Sequence, residues 1–484
     1  MLDYDMNARG ETPLYEHLYR CIRDDIGRGA IAPDERLPSK RALAAHLGVS
    51  MATVEGAYGQ LSAEGYIRSR PRSGYFANRI PAAPARGAVD GGGLSAAFSE
   101  GRADAAPAAG GSAATPAPAI DLTGAADIMA ADAARMWARA MRAVLSSEPE
   151  AETFSAAPAK GTLRLRRAIA HHLRRTRGME VDPECVVVGA GAQLLDVMIA
   201  QLFGGSLVVA VEDPGYTRLS RVYEAAGAQV RHVPLDAEGV SMGALRESGA
   251  NVAHLMPSHQ FPTGKVTGIA RRYELLAWAA EREGRYIVED DYDCEFRLAG
   301  RPIPPLSGMD ACGRAVYTNT FSKSLGSALR LAYMVLPTAL MERFERELGF
   351  YSSTVSSVDQ AALARLIETG EYERHVNRVR KRCRDVRDAF LGELSRTPAA
   401  GRLSVEGADA GLHFVLAVRS DAGEEEIAAR ALERGVALSP LSRFARDAAN
   451  REQPDGLRRF VVQYAGMSAD AAPKVARAIA ESVA

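Results

Sequence analysis

The chain of 484 residues is long enough for about two to four domains of ordinary size. Its 59 Lys and Arg against 60 Asp and Glu leave a formal charge of −1, so any surface that binds a polyanion has to be local. Its five cysteines form no Cys-x-x-Cys pair, which argues against a disulfide framework. The N-terminus has no basic leader, and the apolar runs are too short to cross a bilayer. We therefore expect a cytoplasmic protein that neither is secreted nor spans a membrane.

Composition divides the chain into three parts. Residues 81–119 are mostly Ala, Gly, Pro and Ser. Such a segment buries too little apolar surface to offset the entropy of ordering and is typical of a linker. A unit of residues 1–80 precedes it, and β-branched runs alternate with helical patterns in residues 120–484. This alternation predicts an α/β domain with a mainly parallel sheet.

The first unit is predicted to contain three helices and a hairpin. Thr12 and Pro13 have the residue types of an N-cap and a first helical position, and apolar residues then recur every fourth residue. Ser39 and Ser50 are the expected N-caps of two further helices, with a turn at Gly48 between them. Two short strands follow around the loop of residues 71–74.

Two short helices joined by a tight glycine turn form a helix-turn-helix, whose second helix can lie in the major groove of DNA. Basic residues before this helix and on the hairpin could bind phosphates. Any one of these charges, taken alone, fits a solvated surface equally well. The residues expected to contact DNA are Arg36, Ser39, Lys40, Arg41, Ser50, Met51, Thr53, Arg68, Arg70, Arg72 and Gly74.

Seven short apolar segments of the second part are predicted strands, and polar residues follow several of them directly. Ligands of open α/β sheets bind outside the carboxyl ends of the strands, so one shared pocket is expected. The predicted strands are residues 186–188, 207–211, 230–233, 252–255, 286–288, 315–318 and 332–335.

Common nucleotide and metal motifs are missing. No G-x-x-x-x-G-K-[ST] occurs, and the segment that starts at Gly189 lacks the third glycine of a dinucleotide fingerprint. No H-E-x-x-H occurs either, and we expect His171 and His172 to lie on the surface of a helix. The sequence therefore predicts no metal site.

A lysine and several phosphate-binding residue types cluster after two of the predicted strands. Lys323 could form a Schiff base with an aldehyde. Thr320, Ser322 and Arg330 could hold a phosphate. The helix that opens at Gly191, Ala192 and Gln193 would direct free backbone N–H groups at the same phosphate.

Three further side chains suit an aromatic ring beside that phosphate. Asp290 could pair with a protonated pyridine nitrogen, because a nearby opposite charge favours the protonated form. Tyr292 could donate to a phenolate oxygen of the ring, and Tyr216 could stack on it or flank it. Taken singly, a lysine after a strand is usually solvated, and an Asp-Asp-Tyr-Asp run is usually a loop or a weak cation site. Together these residues are what pyridoxal 5′-phosphate requires.

The motifs also resemble known families. The segments Arg36-Leu-Pro-Ser-Lys-Arg-Ala-Leu-Ala, Leu-Gly-Val-Ser at 47–50 and Ala-Glu-Gly-Tyr-Ile at 63–67 resemble a GntR-type winged helix-turn-helix over nearly all of residues 12–77. The second part resembles a fold-type I aminotransferase domain, and with the first part the MocR/GabR group of GntR regulators. The blocks that carry this resemblance are residues 212–216, 257–264, 289–296, 321–325 and 329–331.

This resemblance implies a fold class and an arrangement of domains. Residues 1–80 would be the winged helix-turn-helix, and residues 120–484 the aminotransferase-like domain that binds pyridoxal phosphate. Residues from about 350 to 484 would form its small α/β subdomain. Lys323 would be the Schiff-base lysine.

The chain departs from the family pattern at three positions. Phe261 stands where aminotransferases have Asn in Asn-Pro-Thr-Gly, so His259 or Gln260 would take over the hydrogen bond to the ring. Val461 stands where a carboxylate-binding arginine is common. Met51 replaces an arginine that often follows the capping serine. The first two changes leave cofactor binding intact and weaken the case for amino-acid turnover.

The resemblance implies a regulator that binds operator DNA and senses a small molecule. The effector would be an amino compound, with Arg218 engaging an anionic group, or pyridoxal phosphate itself, as in PdxR-like members. Family members form head-to-tail, domain-swapped homodimers, and the linker is compatible with that reach. The alternative is an active aminotransferase with an appended DNA-binding domain. The sequence identifies neither the effector nor the operator, nor whether the outcome is activation or repression.

Overall fold

The computed structural model describes residues 2–6, 8–9, 12–70, 73–81, 120–124, 130–298, 303–447 and 456–483. Arg72 and most of the predicted linker lie outside these ranges. Within them, no helix is both long and apolar enough to cross a membrane.

The N-terminal unit, called the reader below, comprises residues 12–77. It contains three helices and an antiparallel pair of strands: α1 (Leu14–Gly27), α2 (Lys40–Leu47), α3 (Met51–Ala63), β1 (Ile67–Arg70) and β2 (Gly74–Ala77). Ser39 accepts a hydrogen bond from the Ala42 N–H, and Ser50 accepts one from the Thr53 N–H, so both predicted N-caps are confirmed. The prediction for the first helix was one residue off, because Pro13 is the N-cap and the helix begins at Leu14.

The core of the reader lies between the three helices. Leu18 and Ile22 of α1, Leu43 of α2 and Val54 and Tyr58 of α3 have no exposed surface. Gly48 has φ 65°, a left-handed conformation that glycine adopts without strain, which allows the tight turn between α2 and α3.

The second part begins with β3 (Ile120–Asp121) and contains a large and a small sheet with flanking helices. The elements of the larger portion are α4 (Ala130–Ser147), α5 (Glu150–Thr153), α6 (Leu163–Arg177), β4 (Val186–Gly189), α7 (Ala192–Phe203), β5 (Val208–Asp213), α8 (Thr217–Ala225), β6 (Gln229–Asp236), β7 (Gly239–Val240), α9 (Met242–Glu247), β8 (Val252–Leu255), α10 (Ile269–Ala280), β9 (Tyr286–Asp290), β10 (Ala315–Thr320), α11 (Ser322–Leu325), β11 (Ala332–Val335), α12 (Thr338–Glu347) and α13 (Ser357–Glu368).

The large sheet has eight strands in the order β4-β11-β10-β9-β8-β5-β6-β7. From β10 to β6 the neighbours are parallel, whereas β11 runs antiparallel to both β10 and β4. The carboxyl ends of β4, β5, β8, β9 and β10 therefore meet at one edge of the sheet, and the N-terminal end of β11 lies there too. We call this edge the cofactor edge. All seven predicted strands are present.

The small subdomain has its own sheet and core. It contains α14 (Glu371–Arg396), β12 (Leu403–Glu406), β13 (Phe414–Arg419), α15 (Glu424–Glu433), β14 (Val436–Ala437), β15 (Ser439–Pro440), β16 (Leu457–Val462) and α16 (Ala472–Ser482). Its sheet order is β12-β13-β16-β15. Tyr372 and Val376 of α14 pack with the core of the large domain, while Phe390 and Leu394 pack with the core of the small subdomain. The boundary between the two therefore lies within α14.

The structure corrects one minor expectation. His171 is exposed, but His172 is buried at 4% exposure and its ring packs on Tyr372. Its Nδ1 lies 3.2 Å from a carboxylate oxygen of Glu373. His172 contacts α14, an element about 200 residues away in the sequence, and the local helical pattern gave no sign of this contact.

Candidate functional site

The cofactor edge brings together the predicted phosphate-binding residues. Arg330 lies two residues before the start of β11, whose register places Ala332 opposite both Gly189 and Thr320. The Arg330 guanidinium consequently lies against Gly191, the N-cap of α7, so closely that a Cβ added at Gly191 would overlap it. Gly191 has φ 95°, a second reason why glycine is required there.

This arrangement suits a phosphate group. The first N–H groups of α7, at Ala192 and Gln193, have no partners within the helix, and the helix dipole favours an anion at that end. Arg330 is exposed at the edge and adds a full positive charge. Thr320 Oγ1 lies 3.0 Å from Ser322 Oγ and accepts the Ser322 N–H, so the two hydroxyls lie next to each other in the short turn that follows β10.

Lys323 lies on α11, directly after β10, and its side chain is exposed at the same edge. Ser324, the next residue, is buried, and its hydroxyl contacts Tyr372 Oη at 2.9 Å. His375 Nε2 lies 2.7 Å from the Ser324 carbonyl oxygen. These contacts fix the short helix, so that the lysine amine is presented from a rigid support.

Asp290 ends β9 and is partly buried. Behind it lies His254, a residue that the sequence analysis did not select, with Nε2 3.9 Å from Asp290 Oδ2. His254 is 1% exposed, and its Nδ1 lies 2.9 Å from Tyr223 Oη. Although burial opposes its charged form, the nearby carboxylates of Asp290, Asp196 and Glu212 raise the pKa of His254 above its usual value. His254 thus lies behind Asp290, the side chain predicted to pair with a protonated pyridine nitrogen.

Two further carboxyl groups lie in this buried region. Burial raises the pKa of Asp196 to about 7 and that of Glu212 to about 8. Glu212 Oε2 accepts the Met256 N–H at 3.1 Å. A histidine within the apolar strand Val252–Leu255 was the sequence signal that could have indicated this network.

Tyr292 follows β9, and its hydroxyl lies 3.2 Å from His259 Nδ1. The same His259 nitrogen lies 2.8 Å from Asp293 Oδ2. An N–H that donates to Asp293 leaves the Tyr292 proton free for another acceptor. The fold thus places His259 so that it positions Tyr292.

Gln260, the other candidate ring contact, is 1% exposed, and both ends of its amide are already hydrogen-bonded within the protein. Its Nε2 donates to the carbonyl oxygens of Pro214 and Phe261, and its Oε1 accepts from the N–H and hydroxyl of Thr263. Gln260 therefore stabilises the conformation of the loop of residues 260–264.

The small subdomain closes over the cofactor edge through the segment of residues 441–447. The Asp213 carboxylate accepts the N–H groups of Arg446 and Asp447 at 2.7 and 3.0 Å. The Gly215 N–H donates to the Phe444 carbonyl oxygen, and the Phe444 ring packs on Phe261. Phe261 also contacts Tyr216, which is 37% exposed as the N-cap of α8.

Val461, which stands where a carboxylate-binding arginine is common, lies in an apolar setting. Val461 has no exposed surface and lies in β16 opposite Val415. The neighbouring arginines point elsewhere: Arg458 donates to the Ala422 carbonyl oxygen, and Arg459 pairs with Glu406 at 3.3 Å. Neither reaches the cofactor edge through these contacts. Arg218 is exposed on the first turn of α8.

One group of metal-ligand residue types comes together among the described residues. Single atoms of His259, Asp293 and His413 lie within 4.8 Å of one another, all three residues being buried. Because His259 is already hydrogen-bonded to Asp293, we assign this pair to the positioning of Tyr292. Burial lowers the pKa of His413 far below its usual value, and the nearby Lys323 acts in the same direction.

In the reader, several of the predicted DNA-contacting residues are exposed. Met51 is 49% exposed, and Arg36, Arg41 and Arg70 are exposed too. Lys40 lies over the Tyr75 ring with its Nζ 3.5 Å from Glu55. Gly74 is within reach of the Arg36 side chain.

Four predicted DNA contacts also stabilise the fold of the reader. Ser39 and Ser50 cap α2 and α3, and Thr53 shares the Ser50 hydroxyl at 2.8 Å. Arg68 donates to the Ala77 carbonyl oxygen and pairs with Asp34, which holds the base of the hairpin.

Comparison with known proteins agrees with this architecture. A family model described as "Aminotransferase class I and II" matches residues 130–479, and one described as "Bacterial regulatory proteins, gntR family" matches residues 14–76. An aminotransferase from Thermococcus profundus, described as a multiple substrate aminotransferase, superimposes with a TM-score of 0.64 at 22% identity, over 75% of this chain and 91% of that chain.

Curated relatives share both parts. The uncharacterized HTH-type transcriptional regulator YdeL of Bacillus subtilis is 36% identical over 90% of this chain and 91% of its own length. The probable rhizopine catabolism regulatory protein MocR of Rhizobium meliloti is 34% identical (92% and 89%), and the pyridoxine biosynthesis transcriptional regulator PdxR of Corynebacterium glutamicum is 31% identical (91% and 90%). The chain therefore belongs to the aminotransferase class I and II family and, through its GntR-type reader, to the MocR group of HTH-type transcriptional regulators.

Proposed function

We propose that this regulator holds pyridoxal 5′-phosphate at the cofactor edge through Lys323 and changes its DNA-bound state when that site is filled. The observation that supports this most is the convergence of Lys323, Arg330, Gly191 and Asp290 at one edge of the sheet. The bound cofactor would supply an aldehyde for the lysine and a ring that accepts electrons. Operator DNA would be bound by the reader, in the cytoplasm.

Each residue has a task in this proposal. Arg330, the α7 N-terminus and the hydroxyls of Thr320 and Ser322 hold the phosphate. Asp290, with His254 behind it, would pair with the ring nitrogen, and Tyr292 would donate to the phenolate oxygen. Tyr216 flanks the ring.

Two classes of effector are consistent with the site. An amino compound could displace Lys323 from the cofactor, with the exposed Arg218 engaging an anionic group of the compound. Alternatively the effector is pyridoxal phosphate itself, which Val461 favours because no amino-acid carboxylate then has to be held. Titration of operator binding with the cofactor alone separates the two: an effect supports the second class, and no effect excludes it. An Arg218→Ala variant with an unchanged response to every amino effector would remove Arg218 from the site.

The competing function is amino-acid turnover by an active aminotransferase. The apolar Val461 and the engaged Arg458 and Arg459 favour the sensor. Incubation with amino donors and keto acids separates them, since many turnovers indicate the enzyme and at most one half-reaction per site indicates the sensor.

We also propose a head-to-tail homodimer. Large apolar side chains remain exposed on the second part, including Phe154 at 66% and Phe350 at 77%, as at surfaces that bind a partner. The reader lies on the large domain of its own chain. In a domain-swapped dimer, the reader would make the equivalent contact with the large domain of the partner chain. Sedimentation of the wild type beside a Phe154→Asp/Phe350→Asp variant tests the dimer: a monomeric wild type would exclude it.

The decisive test of the cofactor is chemical. We expect the purified protein, loaded with pyridoxal phosphate, to absorb visible light, and borohydride to fix the cofactor on Lys323 by reduction. The Lys323→Ala variant should lose both properties, whereas Lys381→Ala, which changes an exposed lysine of α14, should keep them. Modification mapped to any other lysine would contradict the proposal.

A further inference from the structure

The reader contacts the large domain end to end, where the C-terminus of α3 meets the N-terminus of α10. The Ile269 N–H, in the first turn of α10, donates to the Glu64 carbonyl oxygen at 2.9 Å. A Cβ added at Gly65 would lie 3.2 Å from Gly268 Cα, so the two backbones are in close contact. Free carbonyl groups of one helix thus meet free N–H groups of the other, with the attractive alignment of their dipoles.

The contact is also apolar. Ile269 is 4% exposed and belongs to the hydrophobic core of the reader, although it lies on α10 of the large domain. Tyr273, one turn further along, and Met309 pack against the same core. The reader therefore uses side chains of the large domain to complete its interior.

A row of buried charges leads from this contact into the large domain. Glu64 is 3% exposed and accepts the Tyr19 hydroxyl proton at 2.6 Å. It attracts Arg272, which is 1% exposed. Arg272 Nη1 in turn lies 3.8 Å from Glu289 Oε1, and Glu289 has no exposed surface.

Arg272 is bound to the segments that build the cofactor edge. Its Nη2 donates to the Pro257 carbonyl oxygen at 2.8 Å, two residues before His259. Glu289 directly precedes Asp290 on β9 and accepts the N–H groups of Leu306 and Ser307, both at 2.8 Å. A shift of β9 or of the loop of residues 257–264 would consequently move the acceptors that hold Arg272.

The interface is not filled completely. A cavity of about 340 Å³ lies between the two domains, lined by Glu64, Tyr66, Arg272, Tyr273 and Met309 among others. A space of this size forgoes packing contacts on both walls, so separating the domains costs less than opening a well-packed core would.

We propose that the α3–α10 contact is a latch that holds the reader against the large domain, and that occupancy of the cofactor edge changes its strength through Arg272. This rests on the proposed function, because it requires a cofactor or effector that acts on DNA binding. A bound molecule shifts the equilibrium between latched and released readers only if it has different affinities for the two states.

The test uses an Ile269→Glu variant, which puts a charge into the reader core from the large-domain side. Leu432→Glu, an apolar-to-acid change at a position 36% exposed on the small subdomain, is the matched control. Affinity for a duplex selected by the wild type from random sequence is measured with and without pyridoxal phosphate. Cofactor binding is followed separately by absorbance.

We expect the cofactor to change the operator affinity of the wild type by about 5-fold or more, as for typical allosteric coupling. In Ile269→Glu this ratio should fall towards one, while cofactor affinity stays within about twofold and Leu432→Glu behaves as the wild type. A ratio preserved in Ile269→Glu would overturn the latch and leave the proposed function standing. A wild-type ratio of one would overturn the latch, because filling the cofactor edge would then leave operator binding unchanged, and it would exclude pyridoxal phosphate as the effector.

Hydrogen exchange provides a second measurement that does not depend on DNA or cofactor. The amides of residues 268–273 should exchange slowly in the wild type and at least 10-fold faster in Ile269→Glu. Glu64→Gln keeps the shape of the side chain and removes the charge that faces Arg272, so we expect a smaller acceleration in the same direction. Equal exchange in the wild type and Ile269→Glu would show that the reader is not docked and would overturn the latch.

Discussion

The reader and the cofactor edge both present groups suited to phosphate, and they do so by opposite means. In the reader, Arg36, Arg41 and Arg70 are exposed and spread over two segments. At the cofactor edge a single arginine, Arg330, lies against the glycine that opens a helix. Exposed charges act at a distance and are screened by salt. The pair formed by Arg330 and the N-terminus of α7 at Gly191, called the cradle, acts instead through fixed geometry. The first arrangement suits a long polyanion, and the second suits one phosphate group.

The largest expected effect concerns the cradle. Replacing Arg330 by Ala should weaken pyridoxal phosphate binding by about 10- to 150-fold, since hydrogen bonds to charged groups contribute about 1.5–3 kcal/mol. Gly191→Ala should act in the same direction, because its Cβ would displace the guanidinium. Dissociation constants from absorbance titration check this, with the exposed Arg221→Ala as the control. A change below threefold for Arg330→Ala would mean that the cradle does not hold the phosphate.

The next expected effect is a fall in thermal stability with rising pH, which originates at Glu212 of the large domain and not in the reader. Burial raises the pKa of Glu212 to about 8 from an ordinary value of 4.5, so the folded state holds a proton that the unfolded state has lost. The resulting stability is complete below about pH 4.5 and is lost as the pH rises through about 8. We expect the Tm of the cofactor-free protein to fall between pH 5 and 8.

Glu212→Gln should flatten this fall, because the amide cannot ionise. Glu247→Gln, a change of an exposed carboxylate, serves as the control. Identical pH profiles for the wild type and Glu212→Gln would show that Glu212 is ionised in the folded protein.

Within the reader, two arginines should respond differently to truncation. Arg68→Ala should lower stability by about 1–2 kcal/mol, because Arg68 donates to the Ala77 carbonyl oxygen and pairs with Asp34. Arg41→Ala should leave stability unchanged and reduce the slope of log affinity against log salt by about 0.9, as for one lost phosphate contact. Thermal melts and anisotropy titrations at several salt concentrations measure both. An unchanged slope for Arg41→Ala would remove it from the phosphate-binding residues.

The smallest expected effect is a gain in affinity for DNA. Met51→Arg places a cation at an exposed position after the capping Ser50. It should raise the salt slope by about 0.9 and tighten DNA binding modestly. The same anisotropy titrations apply, with Met51→Gln as a neutral control of similar length. Equal slopes for the two variants would place residue 51 away from the DNA backbone.

The sequence by itself determined the reader almost completely. Its caps at Ser39 and Ser50, its turn at Gly48 and its apolar spacing all act within a few residues, so local pattern was sufficient. The strands of the large sheet and the residues that follow them could be predicted for the same reason, since each is a short apolar run with a polar end.

Only the tertiary structure decided which strand ends, and which polar residues after them, lie next to one another. Arg330 reaches Gly191 because β11 runs antiparallel to its neighbours, a fact of sheet order that no local pattern contains. His254 behind Asp290 and His259 beside Tyr292 belong to separate strands and loops, as do Ile269 and the reader core that it completes. Such contacts join residues far apart in the sequence, and they form only where burial of many side chains offsets the entropy of bringing those segments together.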